Sequence, residues 1–94
     1  NKYEAMYIVN PNVADDARAA LVERFSGIVT NGGGNVEKID DWGKRKLAYE
    51  IDDLTEGHYI LMHFESESSL PKELERNFKI SEDVMRFLVI RKEA

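Results

Sequence analysis

The sequence predicts an α+β fold of the ferredoxin-like, split βαβ type, in the order βαββαβ: a four-stranded, mostly antiparallel sheet with two helices on one face. Three observations predict it. Four segments show strand-like alternation or enrichment in branched and aromatic residues, two others repeat apolar residues at helical spacing, and turn-forming residues separate them in that order. Right-handed crossovers leave few other ways to connect such a series. The 94 residues suit one small domain, 1-94, with a modest core and no linker, low-complexity tract or second domain.

The first strand, Lys2 to Val9, alternates Ala5, Tyr7 and Val9 with Lys2, Glu4, Met6 and Ile8, and Asn10-Pro11-Asn12 stops it. Asn12 is placed to cap the first helix, with Asp15 and Asp16 in its first turn, where carboxylates favour the helix dipole. Ala17, Ala20, Leu21, Phe25, Ile28 and Val29 form its apolar stripe. Asn31-Gly32-Gly33-Gly34 closes it, because glycine takes the left-handed conformation of a C-terminal cap without a steric penalty. A second strand runs from Asn35 to Ile51, with a kink or bulge expected near Trp42-Gly43. Asp52 to Gly57 reads as a turn, and His58 to Glu65 as the third strand. Ser68 or Ser69 can cap a second helix carrying Leu70, Leu74 and Phe78, with Pro71 in its first turn. Val84 to Arg91 is the last strand.

Helices on one face leave the other open, and the open face of a solvated antiparallel sheet is ordinarily polar. Alternation assigns Ala5, Tyr7, Val9, Ile60, Met62, Phe64, Phe87 and Val89 to the helix side, with Met85 in phase with the last two. The open face then shows Met6, Ile8, Tyr59, Leu61, His63, Leu88 and Ile90, with Val84 and Arg86 in phase. An apolar patch drawn from three strands at once marks an interaction surface for a protein partner, whereas isolated exposed apolar residues would be ordinary.

The charge pattern adds a second feature. Lys44, Arg45 and Lys46 are adjacent in a chain of net charge −5, and they lead into the alternating Leu47, Tyr49 and Ile51. A basic patch at a strand end suits phosphate, while the acidic balance excludes indiscriminate polyanion binding. With no cysteine, disulfides, thiolate catalysis and cysteine metal sites are excluded, as fits a reducing, cytoplasmic setting. No stretch has the apolar length of a transmembrane helix, and the start lacks a signal-peptide pattern.

Together these segments resemble the bacterial small-subunit ribosomal protein six family along nearly the whole chain. The resemblance rests on Tyr3-Glu4, Asn10-Pro11-Asn12, Gly43-Lys44-Arg45-Lys46-Leu47-Ala48-Tyr49 with Ile51, and Gly57-His58-Tyr59. It continues in Asp83-Val84 and Arg86, then the apolar run Phe87 to Ile90 and the pair Arg91-Lys92. It implies a non-enzymatic structural component of the small ribosomal subunit, monomeric when free, with no cofactor and no membrane. Such a component binds the central domain of 16S ribosomal RNA cooperatively with the eighteenth small-subunit protein, which packs against the sheet. Lys44, Arg45 and Lys46 are then the first candidates for phosphate contact, with Lys2, Arg86, Arg91 and Lys92 as further ones. Tyr3 or Tyr49 could stack on an unpaired base, the alternative being packing at the edge of the core. For the three cations the alternative is a solvated strand end that discourages edge pairing.

Other readings fare worse. The RNA-recognition motif shares this element order, but its third-strand signature would need a cation and aromatics where Glu56, His58 and Ile60 stand. A ferredoxin-like module that homodimerises through its open face, with small-ligand sensing as a further task, is the main competitor. His58 and His63 are the obvious polar candidates for it, yet five residues apart on one strand they point to opposite faces and cannot chelate one ion. Gly32-Gly33-Gly34 closes a helix instead of opening one, so it is a cap and not a phosphate cradle. Asp40-Asp41 and Asp52-Asp53 lack calcium-loop spacing and read as solvated charge, and Trp42 reads as a packing anchor at the kink.

Overall fold

The computed structural model describes residues 1–92. The elements follow in the order β1 (Lys2–Val9), α1 (Asp15–Asn31), β2 (Asn35–Ile51), β3 (Leu54–Glu65), α2 (Leu70–Ile80) and β4 (Val84–Arg91). The four strands form one sheet in the order β2-β3-β1-β4. All three pairings are antiparallel, so the sheet is fully antiparallel. Among the described residues, no helix is long and apolar enough to cross a membrane.

Strand periodicity sets the two faces. Along β1 the residues Tyr3, Ala5, Tyr7 and Val9 are buried, while Glu4, Met6 and Ile8 between them are half-buried. Ala5 pairs with Met62 and Val89, and Tyr7 with Ile60 and Phe87, so the side chains assigned to the helix side meet there. They pack against Leu21, Phe25 and Val29 of α1 and Leu70, Leu74 and Phe78 of α2. The Tyr7, Phe25 and Phe78 rings lie 4.6–5.1 Å apart, centroid to centroid. Each such aromatic pair adds about 0.5–1.5 kcal/mol beyond the area it buries.

Both helices begin without the predicted side-chain caps. The Asn12 amide donates to Asn10 Oδ1 at 2.9 Å and the Val13 amide to the Asn10 carbonyl at 3.1 Å. That turn uses Asn12, and α1 starts three residues later with Ala14 at its N-cap. The apolar stripe shifts with it: Ala17 and Ala20 are exposed, and Val22 takes their place beside the core. Ser69 occupies the N-cap of α2 with no side-chain cap bond. At the end of α1 the amides of Gly33 and Gly34 donate to the carbonyls of Thr30 and Val29, the paired bonds of a Schellman motif. Its left-handed position is Gly33, at φ 85°.

Two irregularities alter the predicted sheet. Asp52 and Asp53, at φ 50° and 64°, form the two-residue turn that joins Ile51 to its partner Leu54. Two successive positive φ values describe a type I′ hairpin turn, whose twist matches the flanking strands. The third strand therefore begins at Leu54 instead of His58, and the β2–β3 hairpin reaches past the end of β1. A register shift between Ile8 and Val9 places Arg86 opposite Ile8 and Val84 opposite Val9. Met85 is the extra residue of that bulge, and it exchanges faces with Val84: Val84 packs on the core, and the Met85 sulfur lies over Gly57 beside Ile8.

Candidate nucleic-acid and partner interface

Strand register maps the open face as rows. One row runs Asp40, Leu61, Met6, Leu88 across β2, β3, β1 and β4; the next runs Gly43, Tyr59, Ile8, Arg86. A third, on the other side of the first, runs Lys38, His63, Glu4, Ile90. The apolar centre is therefore Met6, Ile8, Tyr59 and Leu61, continued onto edge strand β4 by Leu88 and Ile90, which are 61% and 46% exposed. Met6, Ile8, Leu88 and Arg86 border a shallow groove of about 100 Å³, sized for one apolar side chain. All seven residues predicted for a partner lie on this one face.

The eight residues predicted for RNA do not form one group. Arg86 aligns with Ile8, and Lys44, Arg45 and Lys46 pair with His58, Gly57 and Glu56, all toward the β2–β3 hairpin. Lys2, Tyr3, Arg91 and Lys92 lie at the opposite end, where Lys2 pairs with Glu65 and Tyr3 with Arg91. At roughly 3.4 Å per residue the two groups are about 20 Å apart.

Their pairing differs as well. At the far end Lys2 Nζ is 3.2 Å from Glu37, and Lys92 Nζ is 3.5 Å from Glu4 and 2.8 Å from His63 Nδ1. An ammonium has only donors, so His63 accepts through Nδ1, while its Nε2 faces Asp40 at 3.4 Å. Arg91 donates to the side chain of Asn1. Among the described residues, Lys44, Arg45, Lys46 and Arg86 have no carboxylate within ion-pair distance. Of the seven cations predicted for RNA, the five without a carboxylate partner among the described residues are these four at the hairpin end and Arg91 at the far end. Tyr3 is a core residue, 6% exposed and stacked on Phe64, so the packing alternative describes its ring and base stacking does not. Tyr49 is exposed on the hairpin arm.

Of the two acidic pairs, Asp52 and Asp53 are exposed in the hairpin turn, whereas Asp40 and Asp41 are more engaged than solvated charge would be. Asp41 Oδ1 lies 2.5 Å from His58 Nε2 on the helix side and accepts the Gly43 amide at 2.8 Å. Partial burial raises the Asp41 pKa, but the Gly43 amide, His58 and the nearby Arg18 outweigh it and hold the carboxyl below its ordinary value. The two histidines do face opposite sides of the sheet. Beneath Asp41, burial and then the Asp41 charge push the Tyr7 phenol far above its ordinary range, and its hydroxyl has no hydrogen-bond partner.

Trp42 was expected only as an anchor. It occupies the extra position of the bulge between Asp41 and Gly43, and its ring stacks on Tyr59 with centroids 6.3 Å apart and planes within 10°. It remains 40% exposed, and the Arg45 guanidinium lies over it at 5.6 Å. The Asp-Trp-Gly sequence at the expected kink is the one signal that could have pointed to this arrangement.

The family model described as Ribosomal protein S6 matches residues 2–91 of this chain. The small ribosomal subunit protein bS6 of Clostridium acetobutylicum is 52% identical over 90 residues, covering 96% of this chain and 95% of that protein. Its counterpart in Thermoanaerobacter pseudethanolicus is 48% identical over 89 residues, covering 95% and 94%. The crystal structure of 30S ribosomal protein S6 from Thermotoga maritima superposes with a TM-score of 0.92 at 34% identity, covering 97% of this chain and 86% of that one. A match over nearly the full length, in sequence and in fold, shows that this chain belongs to the ribosomal protein S6 family.

Proposed function

We propose that this chain is a non-enzymatic structural component of the cytoplasmic ribosome, where it binds the central domain of 16S ribosomal RNA cooperatively with the eighteenth small-subunit protein. The observation that carries the reading is the division of the open face. Its apolar centre suits a protein partner, and Arg45 and Arg86, which lack carboxylate partners among the described residues, flank it at the hairpin end, with Lys44 and Lys46 on the other side of β2. An acidic protein can then sit on RNA through a local patch, with the partner adding positive charge of its own. Phosphate contacts from Lys44, Arg45, Lys46 and Arg86 would hold register without reading bases.

The test is binding to a central-domain RNA fragment, with and without the partner protein, across a salt series. Weak binding alone and tight, salt-sensitive binding with the partner is expected. Each phosphate contact to a single-stranded segment contributes about 0.7 to the log–log salt slope. No binding in either case would overturn the reading. The exposed Leu88 and Ile90 on an edge strand favour a homodimer as the second reading. Sedimentation of the free chain separates the two, since the proposed function expects a monomer.

A further inference from the structure

We infer that Arg45 is a pre-organised phosphate ligand at the hairpin end and that Trp42 is its positioning residue, an assignment that rests on the RNA-binding reading above. The bulge makes the arrangement possible. Gly43 takes φ 75°, a conformation that side chains disfavour, and its amide donates to Asp41 Oδ1 at 2.8 Å. That turn lays the Trp42 ring against Tyr59 on the open face, in planes within 10° of parallel. Arg45, three residues on, donates from Nε to the Trp42 carbonyl at 3.2 Å and holds its guanidinium carbon 5.6 Å from the ring centroid. One end of the guanidinium is thereby anchored to backbone and ring. No other partner binds its Nη groups among the described residues, and these are the donors that can grip two phosphate oxygens at once.

Lys44 and Lys46 differ in both respects. They pair with His58 and Glu56, so they project from the other side of the strand, and no hydrogen bond or ion pair fixes either. Each must lose side-chain freedom on meeting an anion, whereas Arg45 has already lost much of its own. The cations thus surround an edge strand on both sides, while the apolar patch lies on one side only. A polyanion whose charges recur along its backbone fits that distribution better than a single carboxylate on the protein partner.

The experiment measures affinity of the full chain, with the partner protein present, for the central-domain RNA fragment. Arg45→Lys keeps the charge but loses the fork and the stack, and should weaken binding about tenfold with little change in salt slope. Trp42→Ala should weaken it by a similar factor, Trp42→Phe should recover most of the loss, and Trp42→Ala with Arg45→Lys should cost little more than either alone. Trp42 is the sole tryptophan, so saturating RNA should also change the emission of the wild-type chain. Urea unfolding of each variant separates lost folding from lost positioning. Wild-type binding matched by Arg45→Lys would overturn the inference and leave the RNA reading standing. Additive losses in the double variant would overturn the positioning role of Trp42. An Arg45→Lys loss of equal size in binding the partner without RNA would make the ligand an acidic protein group, and would overturn the phosphate assignment. A wild-type chain that binds no RNA would remove the reading and the inference together.

Discussion

Replacing Leu88 should disable the open face while leaving the fold in place. Leu88 stands opposite Met6 on edge strand β4, borders the groove beside Ile8, and is 61% exposed. Full burial of a leucine is worth about 1.5–3 kcal/mol, so covering the remaining three-fifths would contribute about 1–2 kcal/mol to partner binding. Leu88→Ala should therefore weaken the complex roughly 5- to 30-fold. Leu88→Asp adds a carboxylate that the partner must desolvate, a cost of several kcal/mol for an unpaired charge, which Arg86 two residues away offsets in part. The loss should then exceed about a hundredfold. Because most of this side chain already faces solvent, urea unfolding should change by less than about 1 kcal/mol. Calorimetric titration with the eighteenth small-subunit protein reads the first effect and circular dichroism the second. Partner affinity within about threefold of wild type for Leu88→Asp, in a folded chain, would refute the assignment of this face.

Three further outcomes test the fold itself. The Tyr7 hydroxyl is buried without a hydrogen-bond partner, so Tyr7→Phe should leave stability unchanged or raise it by about 1 kcal/mol in urea unfolding; a loss would reveal a partner for the hydroxyl. At Gly34 a Cβ would lie 2.9 Å from the Glu65 carbonyl oxygen and 3.0 Å from that of Val29, and backbone cannot move aside. Gly34→Ala should cost roughly 2–3 kcal/mol, whereas Gly27→Ala, in open space within α1, should gain about 0.5–1 kcal/mol. Asp41 has its pKa lowered in the folded chain. The unfolded chain binds that proton more readily, so its stabilisation is present above the ordinary carboxylate pKa and is lost as pH falls through the lower, folded value. Asp41→Asn should flatten the acid limb of stability between about pH 5 and pH 2, and an unchanged limb would contradict the pairing with His58 and Gly43.

Much of the architecture was legible because its signals are local. Alternation has a period of two residues, so Ala5, Tyr7 and Val9 declare one face and Met6 and Ile8 the other without reference to any distant residue. Both ends of β1, β2 and β4 fall where breakers and alternation put them. The apolar open face and the basic run before Leu47 are likewise properties of short segments. Errors arose where a local signal had two uses: Asn12 serves a turn instead of a cap, and Thr55, Glu56 and Gly57, polar or small as in a turn, extend the hairpin.

Other features depend on which residues stand side by side, and only the tertiary structure decided those. The bulge at Met85 reverses two side chains because β4 must follow the end of β1. Lys2 and Lys92 meet carboxylates while Lys44 and Lys46 do not, although all four are lysines in or beside strands. Cross-strand register and the Asp41–Gly43 bulge brought Tyr59, Trp42 and Arg45 into one stack from two strands. Period and propensity belong to a segment, whereas charge pairing and ring stacking belong to pairs of segments. The chain therefore declared its faces and its family by itself, and folding selected which of its lysines are paired with carboxylates and which stay free.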